Sequence, residues 1–186
     1  TARLKFLRKE STEAQHIADL VTRYAMAYPE IRFSLLSEGR TIFRSAGSGS
    51  LYDVLMEVYG LETARQLLEI PEEPTTPLSV TGYAGAPTLH RASGRYITIL
   101  INGRWVRDRL LRYAIREAYH TLLPKGRHPL AVVRVDLPPE EVDVNVHPAK
   151  AQVRFRRSGE AFSAVQRAVR YALKGAPIPQ VSYPPP

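Results

Sequence analysis

The sequence predicts an α+β fold, with a mixed β-sheet that helices cover on one face. Segments with the period of an amphipathic helix are interspersed with short runs rich in β-branched residues. Some of these runs are joined by hairpin signals, of which Asn102-Gly103 is the strongest. Others are separated by a helix, which suits parallel neighbours in a sheet. The two kinds of connection together indicate a mixed sheet.

The helices are predicted from apolar spacing and from capping residues. Thr12 and Gln15 have the spacing of a capping box, and Asp108 and Ser158 are expected to cap two later helices. The helix after Asp108 places its apolar side chains on one stripe, at Leu111, Ile115, Ala118 and Leu122. The predicted helices cover residues 12–27, 51–59, 62–68, 108–122 and 158–173.

The strands are predicted from β-rich runs bounded by turn residues. A turn at Glu38-Gly39 is expected to join the first two strands. Residues 85–94 have no periodicity and are predicted to form a flexible surface loop. The predicted strands cover residues 31–36, 41–45, 78–83, 96–101, 104–106, 130–137, 142–146 and 152–155.

Length and composition predict one globular domain, residues 1–174, followed by a proline-rich linker, residues 175–186. The linker composition suggests that a longer protein continues beyond Pro186. The absence of cysteine excludes disulfides and thiolate metal sites. No apolar run reaches the roughly 18 residues of a membrane span, so no membrane association is expected and a cytosolic protein is the simplest interpretation.

Most enzyme signatures are missing. No glycine-rich loop followed by lysine matches a P-loop, and no catalytic triad is recognisable. The five histidines lack the spacing of helical metal ligands. They are His16, His90, His120, His128 and His147. A self-sufficient catalytic centre, or a metal site, is therefore not expected.

The positive charge is confined to one region. The whole chain has a formal net charge of +8, and residues 91–157 contain 14 basic and 6 acidic residues, which accounts for the full excess. Such a region suits a polyanion, although an ordinary solvated surface has the same composition. Five arginines lie after the Asn102-Gly103 turn and in the following helix, where Arg109, Arg112 and Arg116 are expected on one face, and they could contact a nucleic-acid backbone. They are Arg104, Arg107, Arg109, Arg112 and Arg116.

A second segment, Val142-Asp-Val-Asn-Val-His-Pro-Ala-Lys150, has alternating valines and a proline-stiffened end. Lys150 could act there as a point charge for a terminal phosphate. Spacing alone does not favour this role, because a loop lysine is usually only solvated.

The two segments together resemble the MutL family of DNA mismatch repair proteins. The resemblance rests on Asn102-Gly-Arg104, on Val142 to Lys150 with Val153-Arg-Phe155, and on the opening Ala2-Arg-Leu-Lys-Phe-Leu7. It covers most of the chain up to Leu173, and its Val-His-Pro-Ala-Lys element is highly specific. The proline that the family has before the alanine is missing at Thr1, which suggests that a longer protein precedes this chain.

The resemblance implies a fold like domain 2 of ribosomal protein S5, shared with transducer domains of type II topoisomerases. It implies that Lys150 contacts the γ-phosphate of magnesium-bound ATP in a preceding GHKL ATPase domain. It also implies that Arg109 contacts DNA, whether mismatch-containing DNA or a non-specific duplex or single strand. The whole protein would hydrolyse ATP, form a homodimer, interact with the mismatch sensor MutS and work in the cytoplasm near the nucleoid. These residues alone would not be catalytic, and a C-terminal endonuclease in the whole protein is left open.

Three other functions fit parts of the sequence. An S5-like RNA-binding module without ATP coupling explains the charge and the fold but not the segment that ends at Lys150. A purely structural interaction domain would bind no nucleic acid. A topoisomerase-type transducer would share the mechanism, but its motifs are not recognisable here.

Overall fold

The computed structural model describes residues 10–72, 78–143 and 153–176. Contacts within the chain divide it after Arg65 into two compact units. The sequence did not indicate this division, and the predicted boundary at residue 174 stays a prediction. In the described part of the chain, no helix is long and apolar enough to cross a membrane.

The first unit contains three helices and one β-hairpin. Its elements are α1 (Glu10–Ala27), β1 (Ser34–Ser37), β2 (Arg40–Arg44), α2 (Leu51–Tyr59) and α3 (Leu61–Ala64). The predicted turn between β1 and β2 is confirmed. Glu38 and Gly39 have φ angles of 49° and 75°, as a type I′ turn requires at both central positions. The predicted start of α2 is confirmed as well, because the Ser50 hydroxyl accepts a hydrogen bond from the Asp53 amide at 3.2 Å.

The second unit is built around a five-stranded mixed sheet. The strands of the whole unit are β3 (Leu67–Ile70), β4 (Ser79–Gly85), β5 (His90–Arg91), β6 (Ile97–Ile101), β7 (Arg104–Val106), β8 (His128–Pro129), β9 (Ala131–Asp136), β10 (Val142–Asp143) and β11 (Arg154–Phe155). Its helices are α4 (Arg109–Ala118) and α5 (Ser158–Lys174). The strand order in the main sheet is β3-β4-β9-β6-β7. Strands β6 and β9 are parallel, and the other neighbours are antiparallel.

The core of this unit lies between one face of the sheet and the two helices. Alternate residues of the central strands are fully buried there, among them Ile99 of β6 and Val133 of β9. Leu111 and Ile115 of α4 and Val165 of α5 are buried against them, and each such side chain contributes roughly 1.5–3 kcal/mol on burial. The predicted α+β class, an S5-like mixed sheet covered by helices on one face, is confirmed.

Close packing of two strands explains one glycine of the sheet. Gly82 in β4 pairs with Val133 of β9 and has a φ of 125°. A Cβ atom at this position would overlap the carbonyl oxygen of Val132. Glycine is therefore required here both by the space and by the backbone conformation.

Two predictions of helices were wrong. Residues 62–68 were predicted as one helix, but α3 ends at Ala64 and Leu67–Ile70 is a strand paired with β4. An apolar run this short fits the period of a helix and that of a strand, and the pairing with β4 makes this one a strand. Thr12 is not an N-cap, because the chain is already helical at Glu10.

Three further boundaries differ from prediction. Helix α4 ends at Ala118, so that Leu122, predicted on its buried stripe, lies outside the helix and is 46% exposed. Ser158 is the first residue of α5 rather than its cap. Residues 85–94 are not simply a surface loop, since Leu89 is buried and β5 pairs with β8.

Candidate nucleic-acid interface

The turn between β6 and β7 presents the first of the predicted arginines. Asn102 and Gly103 have φ angles of 47° and 74°, which confirms the two-residue hairpin turn predicted from the sequence. The Asn102 side chain donates from Nδ2 to the Leu137 carbonyl and accepts at Oδ1 from the Leu137 amide, both at 3.0 Å. Arg104 follows the turn and is exposed. The turn that carries Arg104 is thus tied to the end of β9.

Asp108 caps the start of helix α4, as predicted. Its Oδ1 accepts a hydrogen bond from the Leu111 amide at 2.7 Å, which satisfies one of the free amides of the first turn. Burial raises the pKa of Asp108 above its ordinary 3.8, and the hydrogen bonds from the Leu111 and Leu110 amides oppose that rise. The Asp108 carboxylate therefore caps the helix, and its neighbours in the sequence are the positively charged Arg107 and Arg109.

Arg107 lies in the link between β7 and α4, and the other three predicted arginines lie in α4. Arg107, Arg109 and Arg116 are exposed, and the Arg107 guanidinium lies 5.0 Å from the centre of the Trp105 ring. Arg112 differs, because it is half-buried and its Nη1 donates to the Gly94 carbonyl at 2.5 Å. Burial, and then the charge of Arg107, lower the pKa of Arg112 below its ordinary value. The five arginines thus lie in β7, in the link that follows it and in α4.

Sequence reasoning missed a second group of basic side chains near this helix. The Arg91 and Arg95 guanidinium groups lie 5.5 Å and 5.0 Å from the centre of the Tyr96 ring. Arg112 joins this group to α4 through its bond to Gly94, just before Arg95. Residues 91–134 contain ten basic residues and two acidic ones, Asp108 and Glu117. The charge imbalance was readable from the sequence, but the contact between residues 94 and 112 was not.

A buried tyrosine holds the other end of α4. The Tyr119 hydroxyl donates to the Gly85 carbonyl at 2.6 Å, and burial raises the pKa of this tyrosine above its ordinary 10.0. The bond connects the residue after α4 to the last residue of β4. With Asp108 at one end and Tyr119 at the other, α4 is a well-anchored support for its outward arginines.

Lys150 lies outside the described residues, in the segment 144–152. The strands predicted on either side are present in their described parts, where Val142 pairs with Phe155 and Asp143 with Arg154. Arg157 forms ion pairs with Glu141 at 3.2 Å and with Glu160 at 3.0 Å. The hydrogen bond and charge of Glu141 are the main causes that raise the pKa of the exposed Arg157. The residues flanking the segment are thus held together by strand pairing and by this arginine.

Metal coordination finds no support in the described part of the chain. Within residues 10–72, 78–143 and 153–176, no group of three or more His, Cys, Asp or Glu side chains could hold a metal ion. His90 and His128 are half-buried, and the Nδ1 atom of each lacks a hydrogen-bond partner among the described residues. They lie on paired strands but not directly opposite each other.

Comparisons with known proteins first identify the class of this chain. A protein-family model described as "DNA mismatch repair protein, C-terminal domain" matches residues 55–174. The chain is 44% identical over 182 residues to the DNA mismatch repair protein MutL of Geobacillus kaustophilus (strain HTA426), covering 97% of this chain and 29% of that protein. It is 45% identical over 159 residues to the MutL of Desulforamulus reducens, covering 86% of this chain and 25% of that protein. The chain belongs to the MutL family of DNA mismatch repair proteins, which confirms the resemblance, and it spans less than a third of the length of these relatives.

Two solved structures share the fold. The crystal structure of the N-terminal domain of a DNA repair protein matches with a TM-score of 0.72 and 20% identity, over 93% of this chain and 57% of that one. The Aquifex aeolicus MutL ATPase domain complexed with ADP matches with a TM-score of 0.54 and 26% identity, over 74% of this chain and 48% of that one.

Proposed function

We propose that this chain is the transducer part of a MutL-type protein in DNA mismatch repair. Its hairpin β6–β7 and helix α4 bind the DNA backbone without reading sequence, and Lys150 contributes to the ATP site of a neighbouring GHKL domain. ATP binding and hydrolysis are thereby coupled to dimerisation and to repair signalling. The observation that carries the proposal is the surface of Arg104, Arg107, Arg109 and Arg116, which is exposed on well-anchored elements.

The charges around this surface favour a polyanion. In the described part of the chain, Arg107, Arg109 and Arg116 form no ion pair with a carboxylate. Asp108, the nearest acidic residue in sequence, is turned to the helix amides. Exposed guanidinium groups without carboxylate partners suit phosphate, because each can donate two parallel hydrogen bonds. DNA of any sequence satisfies this requirement.

Support for a neighbouring domain comes from the first unit. Eight of the eleven large hydrophobic side chains that are exposed among the described residues belong to it, including Ile17, Leu20 and Tyr24 along α1. An apolar surface of this kind is expected to be covered in the working protein. The ADP-bound MutL relative is named an ATPase domain, and this chain covers 48% of it. We therefore assign the covering surface to the nucleotide-binding domain of the whole protein.

Through Lys150, the chain would respond to ATP but not to ADP. Its ammonium would donate a charge-assisted hydrogen bond to the γ-phosphate, which ADP lacks. A bond of this kind is worth roughly 1.5–3 kcal/mol, which shifts a two-state equilibrium by about one to two powers of ten. The magnesium that accompanies ATP, the homodimer and the contact with MutS belong to the whole protein. A location in the cytoplasm near the nucleoid follows from the DNA substrate.

ATP turnover by the whole protein tests the assignment of Lys150. Lys150→Ala is expected to lower turnover at least tenfold while the circular dichroism spectrum is retained. Lys125→Ala is a suitable control, because Lys125 is an exposed lysine outside α4 and outside the segment 144–152. Unchanged turnover in Lys150→Ala would show that the lysine is not part of the ATP site. Tighter binding of structured RNA than of duplex DNA at equal salt would instead favour the RNA-binding alternative.

A further inference from the structure

The chain contains two asparagines, Asn102 and Asn145, and they differ in the residue that follows. Asn102 precedes Gly103, which has no side chain to shield its backbone nitrogen. Asn145 precedes Val146, whose branched side chain crowds that nitrogen. Asparagine is a thermolabile residue, because the nitrogen of the next residue can attack its side-chain carbonyl carbon. Asn102 is therefore the more reactive of the two.

The reaction is deamidation, and its only co-reactant is water. The Gly103 nitrogen forms a bond to Cγ of Asn102, the bond from Cγ to Nδ2 breaks, and Nδ2 leaves as ammonia with the proton of the Gly103 nitrogen. Water then opens the resulting cyclic imide. Hydrolysis at Cγ gives aspartate. Hydrolysis at the backbone carbonyl carbon gives an aspartate that is linked through its side chain and adds one carbon to the backbone.

The folded chain holds the Asn102 side chain at both of its polar atoms. Nδ2, the leaving group, donates to the Leu137 carbonyl, and Oδ1 accepts from the Leu137 amide. The backbone amide of Asn102 donates to the Val135 carbonyl at 3.0 Å. Leu137 is 8% exposed and belongs to the core. Cγ of Asn102 therefore cannot swing towards the Gly103 nitrogen unless the hydrogen bonds to Leu137 break.

Burial does not provide this protection. Asn102 is exposed and Gly103 is half-buried, so water has access to the turn. The reaction has to wait until the hydrogen bonds to Leu137 open, and a local opening of this kind costs less free energy than global unfolding. The product does not regain the same pairing, because a carboxylate oxygen in place of Nδ2 has no hydrogen to donate to the Leu137 carbonyl.

We propose that Asn102 is a deamidation site of this protein and that its pairing with Leu137 controls the rate. Each opening of the pairing exposes Cγ to attack by the Gly103 nitrogen, and the modified turn is no longer tied to the end of β9 in the same way. The proposal rests on the turn and its hydrogen bonds, and it goes beyond the function proposed above. On the DNA surface proposed there, the product adds a negative charge two residues before Arg104.

Ageing of the folded chain at mildly alkaline pH, compared with the same chain unfolded in urea, tests the proposal. Trypsin releases residues 96–104 with Asn102 and residues 135–150 with Asn145. Mass spectrometry follows both peptides, because the exchange of an amide for an acid raises the mass. In urea, Asn102 should convert at least about tenfold faster than Asn145, and Gly103→Ala should slow it. In the folded chain, Asn102 should convert at least about tenfold more slowly than in urea.

Two leucines of equal exposure separate the pairing from general stability. Leu137 and Leu67 are both 8% exposed, but Leu67 lies in β3, which β4 and β9 separate from β6. Leu137→Ala loosens the residue with which Asn102 pairs and retains its backbone groups. Conversion of Asn102 in the folded state should therefore be at least about threefold faster in Leu137→Ala than in Leu67→Ala. Urea unfolding of both variants establishes that each is folded under the ageing conditions.

Each contrary result overturns a stated part of the proposal. Equal rates for Asn102 and Asn145 in urea overturn Asn102 as the preferred site. Equal rates for Asn102 in the folded and unfolded chain, or in Leu137→Ala and Leu67→Ala, overturn control by the pairing. Asn102→Asp, which reproduces the aspartate product, should unfold at a lower urea concentration than the parent chain, and unchanged unfolding overturns the lasting loss of the pairing. None of these measurements involves DNA or ATP, so their failure is distinct from a failure of the proposed function.

Discussion

The side-chain amide of Asn102 pairs with the backbone of Leu137 as a neighbouring strand would, through two hydrogen bonds of 3.0 Å. The two residues are 35 positions apart, one in the turn after β6 and the other just after β9. Asn102 also has a positive φ of 47°, which asparagine tolerates better than most residues. One side chain thus provides the turn conformation and ties the arginine-bearing hairpin to the end of the strand that leads to β10.

Replacement of Asn102 tests this link. Asn102→Gly preserves the positive φ but removes both hydrogen bonds, so the free energy of unfolding is expected to fall by about 1–3 kcal/mol. Asn102→Ala should be less stable still, because alanine also disfavours the left-handed conformation. Urea unfolding measures both. If Asn102→Gly is as stable as the parent chain, the pairing with Leu137 contributes nothing.

Tyr119→Phe should destabilise the second unit by about 1–3 kcal/mol, because the Gly85 carbonyl loses the hydrogen bond from the Tyr119 hydroxyl. The parent chain should also lose stability at high pH. Because burial raises the pKa of Tyr119, its contribution is fully present below the ordinary value of 10.0 and is lost as the pH rises beyond it. The loss between pH 9 and 11 should be smaller in Tyr119→Phe, and equal pH dependence in both proteins would contradict the assignment.

The capping hydrogen bond of Asp108 can be tested separately from the negative charge of its carboxylate. Asp108→Ala removes the acceptor for the Leu111 amide and is expected to cost about 0.5–2 kcal/mol. Asp108→Asn keeps an acceptor and removes a carboxylate whose pKa is raised by burial, so at pH 7 it should be at least as stable as the parent chain. Thermal unfolding at neutral pH measures the two variants. A larger loss for asparagine than for alanine would be inconsistent with a capping role.

Two glycines should respond in opposite ways to the same substitution. Gly82→Ala places a methyl group against the Val132 carbonyl at a φ of 125°, and a loss of at least about 3 kcal/mol is expected from backbone strain in the core. Gly159 lies in α5, where an added Cβ would meet no atom within 4 Å, and Gly159→Ala should stabilise by about 0.4–1 kcal/mol. Denaturant unfolding compares the two. Similar stabilities would mean that the close approach of β4 and β9 is absent.

The parts of the fold that local chemistry determines could be predicted from the sequence. The turn at Asn102-Gly103 and the cap at Asp108 depend on residues within three positions, and the stripe of Leu111 and Ile115 depends on helical period alone. The strand Leu67–Ile70 could not be predicted, because its pairing with β4 is what distinguishes it from a short helix.

The candidate site was predictable to a similar extent. Its arginines could be located from charge and spacing, but their environments depend on distant partners. The bond from Arg112 to Gly94 spans 18 positions, and the contact of Tyr113 with Phe162 joins two helices. These contacts distinguish a half-buried arginine from exposed ones, and no local pattern contains that information.

The central claim is that α4 contacts the phosphates of DNA. The slope of log affinity against log salt concentration, measured with duplex DNA, tests it most directly, because each phosphate contact contributes about 0.9 to that slope. Arg109→Glu should reduce the slope by about one, while Arg44→Glu, a charge reversal at an exposed arginine of β2, should leave it unchanged. An unchanged slope in Arg109→Glu, or equal reductions in both variants, would contradict a phosphate contact at α4.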